Sequence, residues 1–360
     1  MGADRSSRRR RFAQGLAARC RIREGRDPLL QQARLEVGLA SFQGRVLVTG
    51  AGGFIGRALC ARLASTRVPH VAAVRTISRH DAKRAEYVAL GDFAAADWQD
   101  ALTGVDAIVH LAGRTHVRGR DADAPTPYIV ANVHVTRRLA EAAARCGVRR
   151  IVFASSVKVY GEATEPGRAF RAGDASAPQD AYAKSKAEAE RVLGEICGAH
   201  GIDAIVLRFP LTYGPGVKGN FLALLEAVAH ERRLPLAGIV NRRSFLYLGN
   251  AVSAIEAALI APTLPSEALP VADAKPVSTP ELVTKLALAL RLQSRLYYVP
   301  APLLRAAAAL SGRRTAVDRL LDSLEVDALR FRSLTGWSPS YSIDAGLAAT
   351  AAWWRMRRAL

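Results

Sequence analysis

A glycine loop set between a short apolar run and a helical one constrains this chain more than any other part of its 360 residues. Val46-Leu47-Val48 reads as a short buried strand, and Phe54 to Ala64 has apolar residues at helical spacing. Between them lies Thr49-Gly50-Ala51-Gly52-Gly53, and Gly56 falls in the first helical turn. Glycines at 50, 53 and 56 allow a tight turn, close approach of backbone to a pyrophosphate, and close packing of helix on sheet. The helix N-terminus offers unpaired N–H groups and a partial positive charge to phosphate. The spacing is GxxGxxG, and it is the strand before and the helix after that make the triplet specific. A nicotinamide dinucleotide is the expected ligand.

The alternation continues beyond the loop. Strands are predicted over His70 to Val74, Tyr87 to Leu90, Ala107 to Leu111, Arg150 to Ala154 and Ala204 to Leu207. Helices are predicted over Pro127 to Arg145 and Ala181 to Ala199. Strands alternating with helices form parallel βαβ units, so the fold class is α/β, a Rossmann doubly wound parallel sheet. Beyond about residue 210, Pro and Gly become frequent and the alternation breaks up. The domain expectation has three parts: residues 1–43 as a basic disordered extension, 44–210 as an NAD(P)-binding Rossmann domain, and 211–360 mainly as a smaller substrate-binding lobe interleaved with the first.

A formal net charge of +19 suits nucleic acid or an anionic membrane surface, or else an anionic small substrate in an Arg-rich protein. The last reading is preferred, because the sequence has no zinc-finger spacing, heptads or RNP-like segment. No nucleic-acid partner is expected. Arg8 to Arg11 form a basic block without the apolar stretch of a secretory signal behind it. A disordered tail is preferred there over a nucleic-acid or lipid-binding arm. Cys20, Cys60, Cys146 and Cys197 are widely spaced and form no CxxC pair. That argues against a disulfide framework and a zinc site, and suits a reducing cytoplasm. No metal is expected. No apolar run approaches the roughly 18 residues of a membrane span. Trp353-Trp354, followed by Arg355, Arg357 and Arg358, suits either a membrane surface or a cap on the second lobe, and the cap is preferred.

The second strand ends at Val74, where an acidic residue would bind the ribose 2′-OH of NAD. The residue that follows is Arg75, with Arg79 close behind. A guanidinium pairs with the 2′-phosphate of NADP by charge-assisted bonds, so NADP is favoured over NAD; a solvated arginine is the plain alternative. Asp92, in Gly91-Asp92-Phe93, stands where it can accept from the adenine amino group.

Tyr182 and Lys186 are four apart on a predicted helix and share one face. A phenol has a reference pKa near 10, and a nearby ammonium favours the phenolate. The expectation is a phenol brought down by about two to three units, by a lysine that also holds the nicotinamide ribose. Ser155-Ser156 stands just beyond a predicted strand end, where ligands bind in open α/β sheets.

Together these residues resemble the short-chain dehydrogenase/reductase superfamily, in its extended branch, the NAD-dependent epimerase/dehydratase family. The resemblance covers about residues 45 to 345. It rests on VTGAGGFIG at 48–56, GD at 91–92, VHLAG at 109–113, Asn132, FASSVKVYGE at 153–162, YAKSK at 182–186 and RFPLTYGPG at 208–216. It implies Ser156, Tyr182 and Lys186 as a catalytic triad. It places Gly50, Gly53, Phe54, Ile55, Gly56, Leu111, Ala112, Asn132, Tyr182, Lys186 and Pro210 on the cofactor, with His110 along it and Leu211 near the nicotinamide. In the second lobe, the segments Gly216 to Phe221 and Asn241 to Ser244 look like UDP-glucose 4-epimerase-like proteins. They look most like the UDP-N-acetylquinovosamine dehydrogenases, 4-ketoreductases of polysaccharide precursor synthesis.

That likeness implies a nucleotide-sugar substrate. Asn220 would meet its phosphates or uracil, and Arg243 and, more weakly, Arg319 its diphosphate. It also implies a homodimer built on the helices at 127–145 and 181–199. The sequence departs from the family pattern twice. Arg75 replaces an acidic residue, and His134 stands where a glycine is usual, which is expected to alter packing near the cofactor. The implied chemistry is redox at C4 of a UDP-hexose. Arg75 tilts this towards 4-keto reduction, and 4-epimerisation with retained NAD is the alternative. A non-catalytic NADP-binding regulatory protein is the reading of another class. Such proteins tend to lose the tyrosine or the lysine, and both are here.

Overall fold

The computed structural model describes residues 42–77, 86–115, 124–165, 167–262, 264–310 and 314–358. Arg79 and the basic block at Arg8 to Arg11 lie outside them. Nine short strands are described: β1 (Val46–Thr49), β2 (His70–Val74), β3 (Glu86–Ala89), β4 (Ala107–His110), β5 (Arg150–Ser156), β6 (Asp203–Phe209), β7 (Leu211–Tyr213), β8 (Phe245–Tyr247) and β9 (Leu269–Pro270). Seven of them form one sheet in the order β3-β2-β1-β4-β5-β6-β9, and β7 pairs with β8. Every pairing in the large sheet is parallel. The strand order reverses between β1 and β4, which opens a crevice at their carboxyl ends. The fold is therefore α/β, doubly wound and of Rossmann type.

Its central strands are buried along their whole length because both faces are covered. Val46 and Val48 join one core with Leu59 and Leu63 of helix α1 (Phe54–Ser65), while Leu47 turns to the other. That second core also holds Ile108, Phe153, Leu139 and Val192. The chain covers this face with α2 (Pro125–Tyr128), a π-helical segment at Ile129–His134, α3 (Val135–Arg145) and α4 (Ala181–His200). A third core belongs to the second lobe. Phe221 of α5 (Gly219–Ala229), Leu286 and Leu347 meet there. The remaining helices are α6 (Leu248–Ile260), α7 (Thr279–Leu290), α8 (Ala301–Leu310), α9 (Arg314–Leu321), α10 (Leu329–Thr335) and α11 (Ile343–Arg358). Trp354 is buried in the third core and Trp353 packs on it, so the tryptophan pair caps the second lobe.

Two boundaries differ from the sequence reading. β5 and β6 extend through Ser156 and Phe209, which are register partners. The polar residues Ser155, Ser156 and Arg208 hide the strand ends from a hydrophobicity pattern. The helix predicted from Pro127 begins at Pro125 and carries the π-helical turn, which shifts the face that later residues present. The sheet also draws on the chain beyond residue 210. α6 packs on α1, and β9 pairs with β6. Among the described residues no helix is long and apolar enough to cross a membrane.

Candidate active site

β1 ends at Thr49, and Gly50 follows with φ +67, in the left-handed region. A Cβ on Gly50 would lie 2.8 Å from the Ala112 nitrogen and 2.9 Å from the Leu111 carbonyl carbon. One on Gly56 would run into the Gly50 carbonyl oxygen and stand 2.8 Å from the Ala51 Cα. The Gly53 N–H closes the turn on the Gly50 oxygen at 2.8 Å. Gly53 caps α1 without a side chain, so the first-turn N–H groups carry no side-chain cap. Phe54 and Ile55 are half-buried in that turn. Phe54 faces the second lobe, since a Cβ on Gly216 would meet its ring at 3.6 Å. Pro210 is buried, and Leu211 beside it is exposed.

His110 lies beneath the loop, fully buried. Its Nδ1 shares a hydrogen bond with Thr49 Oγ1 at 2.7 Å, and its Nε2 one with Thr136 Oγ1 at 3.0 Å. Burial, with Lys186 nearby, pulls the imidazole down to about 3. Both ring nitrogens are thus occupied and the ring stays neutral. His110 is a strut under the loop rather than a wall along the cofactor, which corrects the sequence expectation. Thr49 Oγ1 also accepts from the Ala112 N–H at 3.1 Å, fixing the exit of β4 against the loop.

Asn132 sits in the π-helical segment and is buried. Its Nδ2 donates to Ser185 Oγ at 2.8 Å, and its Oδ1 accepts from the Arg114 N–H at 2.7 Å. It therefore ties the segment after β4 to α4. A Cβ on Gly113, between them, would lie 2.9 Å from Asn132 Oδ1 and 3.9 Å from Lys186 Nζ. His134 is exposed, so the expected disturbance of packing beside the cofactor does not arise.

Asp180 caps α4 by accepting from the Ala183 N–H at 2.7 Å. That cap fixes the first turn, which carries Tyr182, and Lys186 follows one turn on. Ser156 closes β5, where its Oγ accepts from the Lys158 N–H at 3.3 Å, and it lies close enough to the start of α4 to pull the Tyr182 phenol down. Lys186 is buried with its Nζ 4.0 Å from the centre of the Phe153 ring. Burial drives both groups towards neutrality. Lys186 falls to about 7, against an upward pull from Glu190. Tyr182 is pushed up to about 12; burial outweighs the downward pull of Ser156, and Asp180, Tyr128 and Glu190 add to it. The sequence expectation of a lowered phenol is thus corrected for the protein alone, because desolvation disfavours the charged form of each group.

Around the rim, Arg75 is exposed after β2 and its carbonyl accepts from the Gly91 N–H at 3.1 Å. Asp92 is exposed, and its Oδ1 accepts from the Ala94 N–H at 3.0 Å. Arg57, missed in the sequence, donates from Nε to the Gly52 carbonyl at 2.9 Å. A Cβ on Gly52 would lie 3.6 Å from Val74, so a second guanidinium reaches the loop beside the end of β2. Its signal was available, since Arg57 directly follows Gly56.

In the second lobe, Arg243 donates to the Asp322 carbonyl at 2.8 Å, and Glu162 and Arg319 both act on its charge. Arg319 stands 3.6 Å from both Glu162 and Asp180. Lys158 holds the same two carboxylates at 2.5 Å each. Arg242 points away to Glu325 at 3.0 Å, and Asn220 is exposed in the first turn of α5. Lys158, Glu162 and Asp180 escaped the sequence reading because no motif spacing joins 158, 180 and 319.

Residues 46–268 match the model of the NAD dependent epimerase/dehydratase family. The chain belongs to this family. Its relatives include a UDP-glucose 4-epimerase of Vibrio cholerae, 33% identical over 311 residues, covering 85% of this chain and 94% of the relative. A dTDP-glucose 4,6-dehydratase of Streptomyces griseus is 29% identical over 343 residues, covering 87% of this chain and 94% of that one. Among solved structures, MoeE5 in complex with UDP-glucuronic acid and NAD is similar with a TM-score of 0.70 at 27% identity. That match covers 88% of this chain and 100% of MoeE5. In this member of the family the glycine cradle fits a dinucleotide. Gly50 and Gly56 leave no room for side chains where a pyrophosphate must approach, and the α1 terminus is uncapped by any side chain. The chain is accordingly an enzyme of an NAD-dependent family.

Proposed function

We propose that this enzyme carries out redox chemistry at C4 of a nucleotide sugar, with a UDP-hexose as substrate and 4-keto reduction as its direction. What supports this is the meeting of Ser156, Tyr182 and Lys186 at the carboxyl end of the sheet, in a chain that carries the glycine cradle as well. The dinucleotide, when bound, exchanges hydride with the sugar. Tyr182 keeps its proton in the protein alone, the form that can protonate an alkoxide forming at C4. Ser156, beside the phenol, hydrogen-bonds the same oxygen more strongly as charge builds there. Lys186 in its ammonium form orients the cofactor's ribose. Arg243 and Arg319 offer planar guanidinium groups suited to the substrate diphosphate.

Arg75 and Arg57 support NADP over NAD. The ratio of kcat/KM for NADPH over NADH should exceed unity and fall by about tenfold in Arg75→Ala, one charge-assisted contact being lost. A wild-type enzyme that clearly prefers NADH would overturn this assignment.

The Vibrio cholerae relative favours a second reading, 4-epimerisation, in which the same groups remove a proton and return it after the keto sugar turns over. Purified protein incubated with UDP-hexoses and with 4-keto UDP-sugars, with and without NADPH, separates the two. NADPH oxidised only with the keto sugar supports reduction. Interconversion of UDP-hexoses without added cofactor establishes epimerisation instead. Inertness towards both substrate sets removes C4 chemistry altogether.

A further inference from the structure

Glu190 lies on α4 one turn beyond Lys186 and two beyond Tyr182, and no motif of the sequence reading includes it. Its side chain is 10% exposed and is held from two strands at once. Ser155 Oγ donates to Oε1. Arg208 donates from Nε to Oε1 at 3.1 Å and from Nη2 to Oε2 at 2.5 Å. Ser155 and Arg208 are themselves register partners across β5 and β6. One carboxylate therefore grips both members of a cross-strand pair, and the next residue along β5 is Ser156. Arg208 is fixed in turn by the Tyr160 ring, 4.1 Å from its guanidinium, and by Ser176 Oγ at 3.3 Å. A buried ion pair of this kind seldom adds stability over apolar residues of the same volume, so its place beside the reacting groups calls for another role.

We propose that Glu190 is a positioning residue of this active site. It locks the ends of β5 and β6 to α4, so that Ser156 meets Tyr182, and it sets a fixed negative charge one turn from Lys186. The proposal rests on the C4 reading above only for its activity readout. The titratable groups facing the Tyr182–Lys186 pair are His110 from β4, Tyr128 from α2, Asp180 at the α4 cap and Glu190 itself. His110 is neutral, and Asp180 is held by Lys158. Glu190 raises both Tyr182 and Lys186, so removing its charge lowers both.

Glu190→Gln keeps the shape and removes the charge. The expected result is a kcat lower by about ten- to a hundredfold, from misplacement of the hydroxyl pair. The pH–rate profile should move to lower pH by at least about half a unit. Ser155→Ala keeps the charge and cuts one tether, so kcat falls while the profile stays in place. Where Arg208 left unpaired unfolds the single variant, Glu190→Gln/Arg208→Gln is neutral as a unit and carries the same readouts. Dinucleotide affinity followed against pH by fluorescence needs no sugar, and its profile should move in the same direction. Unmoved profiles in a folded Glu190 variant, or full activity in Ser155→Ala, overturn the proposal. A wild-type protein inert towards every UDP-sugar, with the binding profile still shifted in the variant, overturns the C4 reading and leaves the role of Glu190 standing.

Discussion

A Tyr182→Phe enzyme should lose about 10²–10⁴-fold in kcat, the usual worth of a positioned acid, while its dinucleotide affinity changes little. The substitution removes one oxygen. The ring stays in the same packing, tilted against Tyr128 with centroids 6.2 Å apart. The fold should survive, because a net hydrogen bond is worth only about 0.5–1.5 kcal/mol and the phenol's burial is itself costly. The pH profile sharpens the test. With the phenol near 12 and Lys186 near 7, loss of the ammonium comes first as pH rises. An alkaline fall of the wild-type rate near neutrality therefore belongs to Lys186, and a profile set by the phenol would lie far higher. Stopped-flow turnover over pH 5 to 10 and a binding titration of each protein make the comparison. A phenylalanine variant with near-wild-type kcat would remove Tyr182 from the chemistry.

Gly56→Ala should abolish dinucleotide binding, with affinity lower by about a hundredfold or more, equivalent to roughly 2.7 kcal/mol. A methyl group at 56 overlaps the Gly50 carbonyl oxygen and presses on Ala51, both of them backbone that side-chain rotation cannot clear. Overpacking of this kind costs about 1–3 kcal/mol even in ordinary cores. Here the backbone that must move is the cradle itself, so the cost falls on the phosphate site. Gly52→Ala is the internal control. Its nearest neighbour is a Val74 methyl at 3.6 Å, an ordinary contact, and its φ is not in the left-handed region. Its affinity should stay within about threefold of wild type, well under 1.4 kcal/mol. Equal behaviour of the two variants in a fluorescence titration with NAD(P)H would count against the cradle.

Apolar runs such as Val46 to Val48 and Ala107 to Val109 announce parallel strands buried on both faces, and the loop after β1 announces the crevice. The sheet and the Tyr182–Lys186 face were therefore legible from local pattern. The π-helical turn at Ile129–His134 was not, because a hydrophobic period cannot register a single inserted residue. Burial was not legible either. Spacing showed a lysine near a phenol and suggested a lowered phenol, whereas the site is dry enough to push the two groups the other way. His110 misled for a related reason. A polar residue at a strand end looks aimed at a ligand until Thr49 and Thr136, distant in sequence, are found on its two nitrogens. The Lys158, Glu162, Asp180 and Arg319 cluster is likewise assembled by the fold from separate segments.

The pairing of β9 with β6 has a consequence for how the protein is made. Between Phe209 and Leu269 the ribosome must build β7, β8, α5 and α6 before the last sheet strand exists. At about 5–20 residues per second this interval lasts several seconds. Throughout it, the nascent sheet presents the backbone of β6 as an unsatisfied edge, open to any extended segment of a neighbouring chain. The second lobe thus completes the sheet, and a nascent chain stalled in this interval is the form most exposed to aggregation and to chaperone capture.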